Sequence, residues 1–343
     1  MKHVSIWLLL FIFMAGNFNL NSKSKSKIVP LPQLLKPTSI VIQGNECFIP
    51  DGVEIHIYSL PDVKLTRKFG KAGEGPQEFN ASSPLHIFFQ DDTIVVKSKR
   101  KLSFFKKDGT FIKEMPVHPL NVWYVPMGNK FIGLNKSVSN GVIYFSIDLC
   151  DLYQKTKKNI TRIKHYFQDI NGVREFVTPI HFYIYDDKIF LIGRSDDLVI
   201  DVFDGNGEAL YTITHDYPRI KVTEDHIKNA KKWYKRNAPY GRRFESYTKL
   251  LRFPKYFPAI WNIRVSDKKI YVLTHSKKPG QFYILDLKGN IIKKVMMPFV
   301  PVNPLVHALK FTVHDGKLYQ LVDNEETETW ELHITPFNSA PGT

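Results

Sequence analysis

His86 and His181 stand at the same place in two matching stretches, PLHIFFQDDTIVV (84–96) and PIHFYIYDDKIFLIG (179–193). A third copy, PTSIVIQGNECFI (37–49), and looser ones ending in SDKKIYVL (266–273) and HDGKLYQLV (314–322) extend the alignment. Aligned on the inner turn, the copies bring Ser39, His86, Trp123, His181, Asn262 and Lys310 to one equivalent position. Two imidazoles there could ligate a metal, or together with Lys310 hold an anion. His86, Trp123, His181, Asn262 and Lys310 are thus a candidate ligand site. No third histidine or carboxylate shares the position, since His307 lies three residues early in register. Hydrogen-bonded structural histidines are the simpler reading, and neither a metal nor a cofactor is expected.

Other reactive residue types resolve into structural duty. The pairs Asp91/Asp92 and Asp186/Asp187 occupy turn positions, where aspartate hydrogen-bonds its own backbone. DGNGE (204–208) lacks the further ligands and terminal glutamate of a calcium loop. Cys47 and Cys150 fall in different repeat units, too far apart for a disulfide, and read as free thiols. No HExxH or GxSxG pattern is present, so no catalytic residue is assigned.

Charge says more. The chain has 343 residues and a formal net charge of +15. Between residues 221 and 255 eleven Lys/Arg face only Glu224, Asp225 and Glu245, a net +8. Trp233, Tyr234, Tyr240 and Tyr247 are interleaved. Lys231, Lys232, Trp233, Arg236, Tyr240, Arg242 and Arg243 therefore form a candidate cationic, aromatic surface for an acidic protein, an acidic glycan or an anionic lipid surface. The plainer alternative is a solvated basic face whose aromatics anchor the segment.

The elements that must position these residues are short strands. Each repeat reads as a β-branched and aromatic run, a tight Asp/Gly/Asn turn and a second run. FKKDGTFI, FDGNGEAL and LDLKGNII supply matching outer hairpins. Six units of about 50 residues fit the length, and radial closure is how such arrays avoid open edges. The expected fold is all-β, a six-bladed β-propeller of four-stranded antiparallel blades spanning 37–337. The segment 23–36 is a linker containing a possible ring-closing strand at 28–35, and 338–343 is a disordered tail. From 223 to 256 the period changes to that of a helix: Thr223 can cap it, Ile227, Ala230, Trp233 and Tyr234 share a face, and Pro239 stops it. This helical insertion lies between blades four and five, with a second helical turn expected at 246–251.

At the N-terminus Lys2 and His3 precede an apolar run, 4–16, and a polar tract. The run is short for a membrane span, so residues 1–22 read as a cleaved signal peptide and the protein as exported; an uncleaved anchor is the alternative.

FGKAGEGPQEF (69–79) resembles the Phe-Gly-x-x-Gly-x-Gly-Pro-Gly-Glu-Phe signature of the bacterial exported six-bladed β-propeller proteins related to NHL repeats. Gln77 stands where that family has glycine. The resemblance covers essentially the whole mature chain and implies a structural loop between blades, with Phe69, Gly70, Gly73, Gly75, Pro76 and Phe79 as its working parts. A phosphate loop is excluded, because Gly75 is followed by Pro76, Gln77 and a strand rather than by Lys, Ser/Thr and a helix. The function expected is a binding or scaffolding module, working through one face of the ring on an acidic partner. The alternative is an axial-channel, metal-dependent hydrolase or lyase using His86 and His181. Nucleic acid suits the charge but not an exported compartment.

Overall fold

The computed structural model describes residues 26–81, 83–117, 121–140, 142–153, 155–165, 174–175, 180–193, 197–237, 251–276, 278, 280–300 and 309–339. It is a six-bladed β-propeller of four-stranded antiparallel sheets, as the repeats predict. From the axis outward, blade 1 contains Val41–Gln43, Glu46–Asp51, Glu54–Ser59 and Lys64–Phe69. Blade 2 contains His86–Gln90, Thr93–Lys97, Lys101–Lys106 and Phe111–Pro116. Blade 3 is built from Asn121–Met127, Lys130–Ser139, Val142–Cys150 and Thr156–His165. Blade 4 follows with Ile180–Tyr185, Lys188–Gly193, Leu198–Asp204 and Ala209–His215. Blade 5 comprises Ile260–Ser266, Lys269–Thr274, Gln281–Asp286 and Ile291–Met296.

Blade 6 takes only Phe311–His314, Lys317–Asn324 and Thr329–Pro336 from its own stretch. Its outer strand is Lys27–Leu31, paired antiparallel with Lys27 opposite Ile334 and Leu31 opposite Trp330. The ring is therefore shut by hydrogen bonds between the two ends of the chain.

Middle strands are covered on both sides and so read as near-continuous apolar runs, such as Ile189 to Ile192 and Ile270 to Leu273. Outer strands such as Lys64–Phe69 are mostly exposed and polar. Six apolar layers glue the blades, one for each neighbouring pair. Phe48 meets Ile87 and Phe105 between blades 1 and 2, and Phe104 meets Tyr124 and Phe131 between blades 2 and 3. Leu149 meets Ile180 between blades 3 and 4, and Ile200 meets Ile263 between blades 4 and 5. Phe282 meets Phe311 between blades 5 and 6, while Leu332 meets Tyr58 where the ring closes. No single blade could bury these side chains alone.

Blade 3 has longer strands than its neighbours. Its second and third strands run past 135 and begin at Val142, paired continuously from Phe131 opposite Cys150 to Ser139 opposite Val142. Its outer strand starts only at Thr156, because the Asp151 carboxylate accepts the Tyr153 and Lys155 amides, each at 2.9 Å, and holds 152 and 153 in a turn. Residues 246–250, most of the expected second helical turn, lie outside the described residues. Leu251–Arg252, at its end, is a short strand parallel to Arg174–Glu175. The proposed signal peptide, 1–22, and the last four residues of the tail also lie outside them.

Antiparallel alternation gives the ring two distinct faces. One carries the turns after first and third strands, here termed the turn face. The other, the connection face, carries the remaining turns and every passage from blade to blade, including the 223–256 insertion.

Candidate functional site

The six aligned residues keep equal register: each lies four residues before the end of its innermost strand, at the connection-face mouth of the channel. Their side chains, however, are engaged locally. His86 sets its ring 4.2 Å from that of Trp123 on the next blade, and Phe88 reaches the same indole at 5.7 Å. Burial, assisted by the Lys97 amine directly across the strand pair, pushes the His86 imidazole down to about 4 and keeps it neutral. Asn262 accepts a hydrogen bond through Oδ1 from Arg264 Nη1. Lys310 lays its amine 4.2 Å over the Trp330 ring of its own blade. His181 is partly buried at the start of Ile180–Tyr185. Among the described residues no three His, Cys, Asp or Glu side chains come together as a metal site.

Two residues further along the innermost strand of blade 5 lies a residue that sequence alignment passed over. Arg264 reaches from blade 5 to Phe311 O of blade 6, through Nε at 3.2 Å and Nη2 at 2.9 Å. Its guanidinium stacks 4.3 Å over the Phe311 ring and 5.9 Å from that of Tyr183 on blade 4. Protein surrounds it while part of its surface stays on the channel, and that burial works against its charge. Its signal in the sequence was weak: a lone arginine in a strand of type IWNIRVS, with partners on two other blades.

The loop 69–79 is closed on itself. Lys71–Ala72 pairs in parallel with Glu78–Phe79, and Gly73 N donates to Phe79 O at 3.1 Å. The Glu78 carboxylate fills the interior. It accepts the Gly75 amide at 2.9 Å and pairs with Lys71 at 3.1 Å, contacts that hold its carboxyl below the usual range, the amide first. An anion of the chain's own thus occupies the space a phosphate would need. Phe79 is fully buried and Phe69 packs with it against Phe105 between blades 1 and 2. Gly70, at φ 99°, passes so close that a Cβ would meet Val53 O at 2.5 Å.

The insertion is seated as a unit. Val222 N donates to Lys255 O at 3.0 Å and Phe257 N to Ile220 O at 2.8 Å, so it leaves and rejoins the ring at one point. Helix α1 (Glu224–Asn237) follows Thr223, whose hydroxyl and amide bond reciprocally with the amide and ring nitrogen of His226. Ile227 and Ala230 face Val222 and Phe257 in a small cluster of their own. Phe257 stacks at 4.8 Å on His275, which stacks at 5.1 Å on Trp261, carrying the helix onto blade 5.

Opposite this apolar side Lys228, Lys231, Lys232 and Lys235 are all exposed. At 100° per residue they share an arc of about 100°. None of the four forms an ion pair among the described residues. Trp233, on the side of Ala230, is partly buried, and the side chain of Arg236 lies outside the described residues, as do Tyr240, Arg242 and Arg243 altogether. Cys47 and Cys150 are buried free thiols, each raised above its ordinary pKa by burial.

No family model and no curated protein matches the sequence. A crystal structure of a DUF4221 family member from Bacteroides vulgatus superposes with a TM-score of 0.52 at 12% identity, over 91% of this chain and 96% of that one. Myceliophteria thermophila Cps50 (Swd1), a β-propeller domain, gives 0.42 at 8% identity over 90% and 99%. BamB from Moraxella catarrhalis gives 0.32 at 12% over 88% and 73%. The first similarity supports the fold and carries no activity with it; the other two are more distant still.

Proposed function

We propose that this chain is an exported binding or scaffolding propeller, a member of the bacterial family related to NHL repeats, which docks an acidic partner on its connection face. The observation that carries the reading is the lysine arc of α1. Four ammonium groups share one side of a helix whose other side is fixed to the ring, so the field has a defined direction. Lys221 and Lys255, both exposed at the base of the insertion, extend it. The apolar run 4–16 supports export, and FGKAGEGPQEF supports the family.

The test is retention on a sulfated matrix at low salt. Replacing Lys228, Lys231, Lys232 and Lys235 together by Glu, a good helix former, is expected to abolish retention while circular dichroism stays unchanged. Unchanged retention rejects this surface.

A further inference from the structure

Carboxylates stand at the turn-face rim of the axial channel, at Asp91, Asp92, Asp186, Asp187, Asp267 and Asp315, and its wall of innermost strands has none. None of the six innermost strands, Val41–Gln43, His86–Gln90, Asn121–Met127, Ile180–Tyr185, Ile260–Ser266 and Phe311–His314, contains an aspartate or glutamate. Into that wall is set Arg264, and every acceptor it has is neutral. Nε and Nη2 donate to Phe311 O, and Nη1 donates to Ile263 O and to Asn262 Oδ1. Of five N–H groups this uses four, leaving one on Nη2. A guanidinium does not discharge by losing its proton at any working pH. Arg264 thus holds a full positive charge inside the ring without an ion pair among the described residues.

Two lysines add to the same field. Lys97, across the strand pair from His86, is buried and has no ion-pair partner among the described residues. Lys310 has only the ring of Trp330 under its amine and the more distant Asp323 carboxylate. Burial holds both amines below the ordinary lysine range. Positive groups set in low-dielectric walls concentrate counter-ions. An unpaired buried charge is costly, which favours whatever neutralises it.

From this charge map we infer that the axial channel binds a small oxyanion, a carboxylate or phosphate group, received at Arg264. The site uses none of the residues of the α1 surface, so either can fail while the other stands. A guanidinium edge suits both oxyanions, and Tyr183 and Phe311 hold its plane fixed.

The experiment titrates the full-length protein with inorganic phosphate and, separately, with succinate, at ionic strength held constant by sodium chloride. Calorimetry and thermal unfolding are the readouts. One of the two anions is expected to bind saturably and to raise Tm by several degrees at saturation, beyond any effect of chloride. Arg264→Gln is expected to weaken binding about tenfold or more. Because Arg264 also ties blade 5 to blade 6, a second variant is needed. Val125→Glu places a carboxylate at the matching register of blade 3 and leaves those ties intact, and is expected to abolish binding. Binding of phosphate alone or of succinate alone identifies the oxyanion. No saturable binding of either, or binding that survives Val125→Glu at full strength, overturns the inference.

Discussion

The two faces of the ring are built on opposite principles. On the turn face, tight reversals place Asp186, Asp187, Asp267, Lys268, Asp315 and Gly316 at positive φ, the geometry of two-residue hairpins that suits the twist of the strands. Those reversals are then tied to neighbouring blades. Gly316 N donates to Asp267 at 3.0 Å, Lys268 N to the Tyr185 hydroxyl at 3.1 Å, and Lys130 Nζ to Asn206 at 2.7 Å. On the connection face the chain is longer and less constrained by closure, and there the lysine arc, the channel mouth and the extended hairpin of blade 3 are found. A propeller must spend its turn face on geometry; its connection face is where sequence can vary without opening the ring.

The sharpest way to break that contrast is to detach the insertion. Phe257 is 4% exposed, stacks on His275 and closes the cluster with Val222 and Ala230. Phe257→Ala is expected to cost about 3–5 kcal/mol of the docking of α1. Hydrogen exchange and proteolysis should accelerate between 222 and 255 while the middle strands of the blades keep their protection. Loss of protection in all blades together would show that the insertion is part of the ring's cooperative unit.

Acid sets the channel-mouth histidine apart from the carboxylates. His86, at the channel mouth, has its folded pKa lowered from 6.5 to about 4, so it binds its proton more readily unfolded. Its contribution is complete above the unfolded value and is lost as pH falls through the window between the two, about 2 kcal/mol after allowing for water in the channel. On the turn face, Asp108, Asp151, Asp204 and Asp286 accept amides of their own turns. The Asn290 side-chain amide leads at Asp286, and backbone amides lead at the other three. All four carboxyls are lowered, so their stabilisation holds above the ordinary carboxylate range and disappears only below it. Urea unfolding from pH 8 to pH 3 should therefore show two steps, and His86→Phe should remove the upper one alone. A single step below the carboxylate range would refute the assignment to His86.

What could be read from the sequence follows the range of the interactions. The Asp/Gly reversals, the strand runs and the apolar side of α1 are local patterns, and Thr223 marked the start of the helix by the same kind of local bond. The ring-closing strand was legible in part: expected at 28–35, it runs over Lys27–Leu31 and then turns, with Leu34 N donating to Leu31 O at 3.1 Å. Arg264 was not legible, since its meaning depends on Tyr183 and Phe311 arriving from blades 4 and 6. The length of blade 3 was hidden too, because nothing short-range distinguishes a ladder that stops at Asn135 from one that continues to Ser139.

The smallest effect concerns a connection-face loop that is held, like the turn face, by short-range bonds. Glu78 N donates to Gly75 O at 3.1 Å across Pro76 and Gln77, and Gln77 sits at φ 63°. Proline second and a positive φ third is the pattern of a type II turn, whose third position favours glycine. The resembled signature has glycine there. A left-handed glutamine costs about 1–2 kcal/mol, and glycine would recover that less the extra freedom it gives the unfolded chain. Gln77→Gly is thus expected to stabilise the protein by about 0.5–1 kcal/mol in urea unfolding, and Gln77→Val to destabilise it. Gly70→Ala in the same loop, where Val53 O stands in the way, should lose about 1–3 kcal/mol. If Gln77→Gly were neutral or harmful while Gly70→Ala were tolerated, the loop would belong with the pliable connections and the division between the faces would be complete.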